Sequence, residues 1–429
     1  MNILIIGNGG REHALAWKVA QSPLAKKVFV APGNAGTALE NSLENVNIAA
    51  TDISELIKFA KYNNIDFTIV GPEASLVIGI VDMFHDAGLI VFGPTKAAAQ
   101  LEGSKNFTKN FLHRHNIPTG CYQNFKEVLP AINYVHKKGV PIVIKADGLA
   151  AGKGVIIATT LVEAEDAIKK ILISKIFGES GNSIVIEEFI SGEEISFIVM
   201  VDGKNVVPMA TSQDYKRVGD GDNGLNTGGM GAYSPVPLVT NELYNKILDQ
   251  IILPTIKGMA RENNSYTGFL YAGLIITPEG QPKVIEFNCR LGDPETQTII
   301  LRMRSDLLAH CIAATKCNLD KEVFQWDERF ALSVVLASVG YPSNYRIGYE
   351  ISGLPTIDSN EEKVFHSGTL LEKGKLLTNS GRVLCVTTLG NTLAEAQKRT
   401  YKIVDCIKWQ DSFCRRDIGY RAGLVVKSN

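Results

Sequence analysis

The stretch Lys145-Ala-Asp-Gly-Leu-Ala-Ala-Gly-Lys-Gly-Val155 decides how the rest of this chain reads. Lys145 closes the apolar run Pro141-Ile-Val-Ile144, and Val155-Ile-Ile-Ala158 forms a second one. Both have strand length, so the pattern is strand, glycine loop, strand. Gly148, Gly152 and Gly154 allow backbone N–H groups to approach phosphate oxygens closely, and Lys145 and Lys153 supply charge. The helix and the Gly-Lys-[Ser/Thr] ending of a Walker loop are both missing. A nucleotide bound here lies under a flap between two strands, which belongs to another fold.

Towards the N-terminus the chain alternates apolar runs with helical periodicity. Residues 2–7, 27–31, 66–71 and 89–93 read as buried strands, with helices over 11–21, 53–63 and 77–87 between them. This alternation predicts an N-terminal doubly wound parallel sheet in an α/β multi-domain chain. Past Gly103 the pattern changes. Ser104 caps an expected helix over 105–115, and a smaller α/β unit follows with a helix over 161–174. Further strands are expected at 195–201, 271–277 and 283–286, interrupted by a long glycine-rich polar segment, 212–233, which reads as a functional or disordered loop. The last hundred residues mix strands (331–337, 383–389) with a helix near 393–407, an α+β pattern.

Composition narrows the class. With 429 residues the chain needs more than one domain, and 45% apolar with 21% charged residues describes a globular protein. A formal charge of −1 argues against a dedicated nucleic-acid or membrane-surface binder. The first residues, Met1-Asn-Ile-Leu-Ile-Ile-Gly7, lack the basic flank and long core of a signal peptide, and no run reaches bilayer length. Seven scattered cysteines without Cys-x-x-Cys indicate neither a disulfide framework nor a zinc site, so a reducing cytoplasmic setting is expected.

Several clusters flank the glycine loop. Gly7-Asn-Gly-Gly-Arg-Glu-His13 joins the first strand to the first helix, where free N–H groups and the helix dipole favour an anion. As a dinucleotide fingerprint it fails, because Glu12 replaces the third glycine and the second strand ends in Ala31-Pro-Gly33 without a ribose-binding acid. A phosphate or sugar-phosphate site competes here with a plain tight turn. The run Ile184-Val-Ile-Glu-Glu-Phe-Ile-Ser-Gly-Glu-Glu194 offers a backbone edge for adenine at Glu187, Glu188, Phe189 and Ile190 and a carboxylate for ribose at Glu194; a solvated acidic turn is the plainer alternative. In Val284-Ile-Glu-Phe-Asn-Cys-Arg-Leu-Gly-Asp-Pro-Glu-Thr-Gln297, strand alternation puts Glu286 and Asn288 on one face. That oxygen pair suits a hard divalent cation, and Arg290 would face negative charge developing beside it. In the long segment Asp214 offers a carboxylate for an ammonium, while Lys216 and Arg217 offer charge for a carboxylate or phosphate.

Taken together and in this order, these residues resemble the ATP-grasp ligases, and most closely their glycinamide ribonucleotide synthetase family. The resemblance runs from the Gly7–His13 loop to Arg415-Arg-Asp-Ile-Gly-Tyr-Arg421. It implies four parts: a doubly wound domain (1–103), an ATP-grasp linker and lid (104–192), an ATP-grasp central domain (193–325) and a C-terminal domain (326–429). It further implies ATP bound by Lys105, Lys145, the 148–154 loop with Gly148, Gly152, Lys153 and Gly154, residues 187–190, and Glu194. Mg2+ or Mn2+ would rest on Glu286 and Asn288. Glycine is implied near Asp214, Arg290 and Asp293, and 5-phosphoribosylamine against Gly9, Gly10, Arg11 and Glu12, with Arg290, Lys145 and Asp214 catalytic. The implied reaction is ligation of glycine to phosphoribosylamine through glycyl phosphate, by a monomer or weak homo-oligomer. Many ATP-grasp enzymes carry another metal-binding acid on the preceding strand; here Tyr271-Ala-Gly-Leu-Ile-Ile-Thr277 has none. A related ligase using another acid, an NAD oxidoreductase and a non-catalytic nucleotide-binding regulator are the competing readings.

Overall fold

A computed structural model describes residues 1–150, 154–356 and 359–422. Gly152 and Lys153 lie outside the described residues.

The N-terminal unit is a five-stranded sheet in the order Leu43–Asn45, Lys27–Pro32, Asn2–Gly7, Phe67–Val70, Val91–Phe92, with every pairing parallel. Asn2–Gly7 is central and buried on both faces, which is why it reads as an unbroken apolar run. Leu43–Asn45 and the short helix Ala35–Leu39 carry too few apolar residues to show a period in the sequence. The helix expected over 77–87 is two helices, Glu73–Ile78 and Ile80–Asp86, divided at Gly79 with φ +97°. A left-handed residue ends one helix and lets the chain restart at once.

The expected helix after Gly103 is Lys105–Arg114, and Ser104 caps it, its hydroxyl accepting from the Phe107 N–H at 3.1 Å. The lid is a four-stranded antiparallel sheet, Tyr122–Phe125, Ile184–Glu188, Ile142–Ala146, Val155–Ala158. Alternation sorts its faces. Ile142, Ile144, Ile184 and Ile186 pack against Ala131 and Val135 of helix Val128–Lys138 and Ala164, Ile168 and Ile171 of helix Leu161–Leu172. Lys145 and Glu187 therefore point the other way, into the cleft. Lys145 pairs with Val155 across the glycine loop, as the strand–loop–strand pattern requires.

The central sheet runs Val206–Pro208, Glu193–Asp202, Thr267–Ile276, Pro282–Asn288. The 212–233 segment is not a disordered or structureless loop. It contains the strands Gln213–Asp214, Arg217–Gly219, Asn223–Asn226 and Gly231–Ser234, and it buries Tyr215, Met230 and Tyr233. Gln213–Asp214 and Gly231–Ser234 extend the C-terminal sheet through Phe330–Ser338, continuing to Arg382–Gly390 and Glu362–His366. Gly231–Ser234 pairs with Phe330–Ser338 far along the chain, and local periodicity cannot show that. No helix among the described residues is long and apolar enough to cross a membrane.

Candidate active site

The cleft is built where the lid sheet, helix Lys105–Arg114 and strand Pro282–Asn288 meet. In that strand Asn288 lies opposite Tyr271 and Glu286 opposite Gly273, so both oxygen-bearing side chains share a face, with Phe287 buried on the other. Past Glu286 the register shifts, since Val284 faces Leu274. A bulge leaves its extra residue, Ile285, out of the ladder. The freed Ile285 carbonyl accepts from Lys145 Nζ at 3.1 Å.

Lys145 Nζ also lies 3.0 Å from Glu187 Oε1, and Lys109 Nζ lies 2.8 Å from Glu187 Oε2. Burial pushes the Glu187 carboxyl up, but Lys145 and Lys109 pull it below the usual carboxylate range. The Glu187 side chain thus faces the lysines, and the exposed Phe189 and half-buried Ile190 extend the apolar edge beyond it. Lys105 Nζ donates to the Gly148 carbonyl at 3.0 Å, and burial lowers its ammonium.

Asp147, inside the opening motif, ties this region together. Its carboxylate accepts from Ser104 Oγ, the Asn106 N–H and side-chain amide, and Ser183 Oγ, all at 2.8–3.0 Å. Glu194 is ion-paired with Lys216, which stands 3.7 Å from Glu286. Glu286 is pushed up by burial, yet Lys216, Lys145, Lys105 and Arg290 hold its carboxyl down at about 2. Cations from separate elements thus converge on one carboxylate. Lys216, Lys145 and Arg290 are each also held by carboxylates of their own, Glu194, Glu187, and Glu73 with Glu102. The cleft thus presents several fixed cations side by side, an arrangement that suits a polyphosphate.

Glu286 and Asn288 fit a hard cation by donor type, being oxygen ligands two residues apart on one face. Among the described residues no group of three or more His, Cys, Asp or Glu could hold a metal alone. The strand Thr267–Ile276 contributes no acid, as its sequence indicates. The pair therefore suits an ion that takes its remaining ligands from phosphate and water.

Arg290 is held more firmly than the sequence suggests. Its Nε donates to Glu73 at 3.0 Å, and its Nη2 donates to Glu102 at 2.8 Å and to Asn288 Oδ1 at 3.1 Å. Glu102 also accepts from the Cys289 N–H at 2.7 Å. Burial pushes the Glu102 carboxyl up to about 7 against the pull of Arg290. Glu73 is likewise pushed up by burial, but Arg290 and Arg11 bring it down to about 2.

The N-terminal loop adjoins this region through Arg11, which lies 3.8 Å from Glu73. Glu12 Oε2 accepts from the Gly9 N–H at 2.7 Å, and Glu12 packs so closely on Gly71 that a Cβ there would stand 2.1 Å from its Oε1. The Arg11 N–H donates to Asp293 Oδ2 at 3.0 Å, and Gln297 and Arg382 hold the other Asp293 oxygen at 2.9 and 3.4 Å. Asp293, expected with Asp214 and Arg290 around glycine, is therefore engaged with the Arg11 loop.

Asp214 lies beside Lys216, Glu295 and Glu194. Burial pushes its carboxyl up to about 8; Lys216 opposes this, while Glu295 and Glu194 add to it. It accepts no side-chain hydrogen bond among the described residues. Lys216 beside it is paired with Glu194, so Asp214 has no ion pair of its own among the described residues. Of the expected residues, Lys105, Lys145, Gly148, Gly154, Glu187, Glu194, Glu286, Asn288 and Arg290 gather around one cleft; Gly9, Gly10, Arg11, Glu12 and Asp293 cluster together at the N-terminal loop. Lys109, Glu73, Glu102, Asp147 and Glu295 were not singled out in the sequence. Two carried a signal: Asp147 stands within the glycine motif, and Lys109 follows Lys105 by one helical turn.

Comparisons with known proteins agree with this geometry. Residues 1–102, 103–296 and 331–421 match the family models of the phosphoribosylglycinamide synthetase N domain, ATP-grasp (A) domain and C domain. The chain is 66% identical over 422 residues to a phosphoribosylamine–glycine ligase of Haemophilus influenzae, with 98% of each chain covered. It is 64% identical over 423 residues to that of Escherichia coli K12, covering 98% of this chain and 99% of the relative. A crystal structure of phosphoribosylamine–glycine ligase from Thermotoga maritima superposes with a TM-score of 0.84 at 34% identity, over 98% of this chain and all of that one.

Proposed function

The chain belongs to the phosphoribosylglycinamide synthetase family, and from that premise we propose that it ligates glycine to 5-phosphoribosylamine at the expense of ATP, in purine biosynthesis, through the residues described above. The observation that carries the assignment is the convergence of Lys105, Lys145, Lys216 and Arg290 on Glu286 beside Asn288.

Glycine's carboxylate is unreactive towards an amine at neutral pH, so it must first be activated. Attack of a carboxylate oxygen on the γ-phosphorus of ATP gives glycyl phosphate and ADP. The amine of phosphoribosylamine then attacks the acyl carbon and expels inorganic phosphate. Lys145 and Lys105 neutralise charge on the phosphates, and residues 187–190 with Glu194 take the adenosine. The 148–154 loop covers the phosphates and keeps water from the acyl phosphate. Glu286 and Asn288 would hold Mg2+ or Mn2+, which supplies charge neutralisation at the transferring phosphoryl group. Arg290 keeps Asn288 aimed and places its own charge beside Glu286. Asp214, a buried carboxylate with no ion pair of its own among the described residues, receives the glycine ammonium. The Gly9–Glu12 loop, with Asp293 opposite, receives phosphoribosylamine.

The division into parts at 103, 192 and 325 remains our reading, with Gln213–Asp214 and Gly231–Ser234 structurally part of the C-terminal sheet. A cytoplasmic monomer or weak homo-oligomer completes the proposal.

The test is ADP release with ATP, magnesium and glycine, with phosphoribosylamine generated in situ. Glycine-dependent ADP release is expected, and its absence would end the proposal. In the same assay Asp214→Asn should raise the KM for glycine roughly tenfold or more while leaving that for ATP near wild type. The pH dependence has a definite sign. Only ionised Asp214 pairs with an ammonium, and burial holds its carboxyl at about 8. The wild-type KM for glycine should therefore fall as pH rises towards 8, and Asp214→Asn should lose this dependence. An unchanged glycine KM in the variant would remove Asp214 from the glycine site.

A further inference from the structure

A buried chain of polar groups crosses beneath the phosphate-facing lysine. Thr119 Oγ1 donates to the Val284 carbonyl at 2.7 Å and accepts from Lys109 Nζ at 2.7 Å. Lys109 then pairs with one Glu187 oxygen, and Lys145 with the other. Lys145 finally donates to the Ile285 carbonyl. The chain thus starts and ends on consecutive carbonyls at the bulge of the strand that carries Glu286 and Asn288. Lys109 is 2% exposed and Glu187 5% exposed, so water barely screens these charges.

The presence of two lysines on one carboxylate matters. With Lys145 alone, Glu187 would cancel its charge and hold the ammonium to itself. With Lys109 on the second oxygen, the trio keeps a net positive charge, and Lys145 is fixed without being neutralised. We propose that Lys109, whose ammonium is engaged by Thr119 and Glu187, is a positioning residue for ATP binding: it takes up half of the Glu187 carboxylate, so that Lys145 is aimed by Glu187 yet keeps its charge for the nucleotide phosphates. This rests on the ATP-site reading above. Burial pulls the Lys109 ammonium down to about 8 against the pull of Glu187, so it stays largely charged at neutral pH.

The experiment is calorimetric titration of the full chain with ATP and magnesium in the absence of glycine. Lys109→Met keeps most of the unbranched side chain and removes its charge. It is expected to weaken ATP binding roughly tenfold or more, with the KM for glycine unmoved. Adding Glu187→Gln to Lys109→Met should recover most of the loss, because a neutral amide no longer cancels Lys145. A merely structural role predicts additive or worse damage instead. Thr119→Val keeps every charge and removes only the hydroxyl that aims Lys109. It is expected to weaken ATP binding a few-fold, and it decides the matter if Lys109→Met does not fold. Unaltered ATP affinity in Lys109→Met, or in Thr119→Val where the other variant is unfolded, overturns the proposal. A double variant no better than the single one also overturns it. A wild-type chain that binds no ATP would instead defeat the ATP-site reading.

Discussion

Glu286→Ala is expected to lower kcat by about 10²–10³-fold at ordinary magnesium concentrations, while the fold survives. Glu286 is the anion on which Lys216, Lys145, Lys105 and Arg290 converge, and with Asn288 it forms the oxygen pair suited to a cation. Removing it leaves the cations in place, so ATP is still attracted by charge. What is lost is the group that fixes the cation at the transferring phosphoryl. The effect should therefore fall on kcat more than on the KM for ATP. Stability should change little, since Lys216 keeps its pairing with Glu194 and the Glu286 side chain remains about a third exposed. Steady-state kinetics across a magnesium series, beside a thermal unfolding curve, tests this. Near wild-type turnover would remove Glu286 from the metal site.

The second large effect concerns stability as well as activity. Arg290→Met leaves Glu73 and Glu102 facing each other without the guanidinium that joins them, and it releases Asn288. Breaking a buried ion pair by removing one partner costs about 3–5 kcal/mol, so the variant should unfold at clearly lower denaturant and show almost no turnover. The pH dependence follows from Glu73. Its folded carboxyl is depressed to about 2 from 4.5, so the stability it contributes is full above 4.5 and is lost as pH falls towards 2. Removing Arg290 takes away the larger part of that contribution, leaving only Arg11 at 3.8 Å from Glu73. The deficit of the variant should therefore be widest near neutrality and shrink below pH 4.5. A deficit under about 1 kcal/mol at neutral pH, the size of an exposed pair, would contradict the clamp.

The sequence displayed whatever depends on local period or local chemistry. Asn2–Gly7, Ile142–Ala146 and Val155–Ala158 are buried on at least one face, so their apolar runs show plainly. Glu286 and Asn288 were legible because strand alternation alone puts them on one face, and Ser104 because a capping hydroxyl precedes its helix. The clamp on Arg290 was not legible. Glu73 and Glu102 lie 217 and 188 residues away along the chain, and only the packing of the N-terminal unit on the central sheet brings them together. Asp293 was not legible as a partner of the Arg11 loop for a similar reason. It sits two residues before Glu295 at the start of helix Glu295–Arg302, which packs towards the N-terminal loop, whereas Asp214 lies on a two-residue strand whose partners are Gly231–Ser234. Short strands and long-range ion pairs leave no periodic trace, which is why the order of the 212–233 segment does not show in its sequence.

The central claim is that glycine's carboxylate is phosphorylated before the amide forms, and transfer of labelled oxygen tests it most directly. With glycine carrying 18O in both carboxylate positions, the oxygen that attacks the γ-phosphorus becomes the bridging oxygen of glycyl phosphate and leaves with phosphate when the amine attacks. One 18O is therefore expected in the inorganic phosphate of every turnover, with the other in the product amide. Phosphate without label, formed together with ADP and amide, would contradict the account.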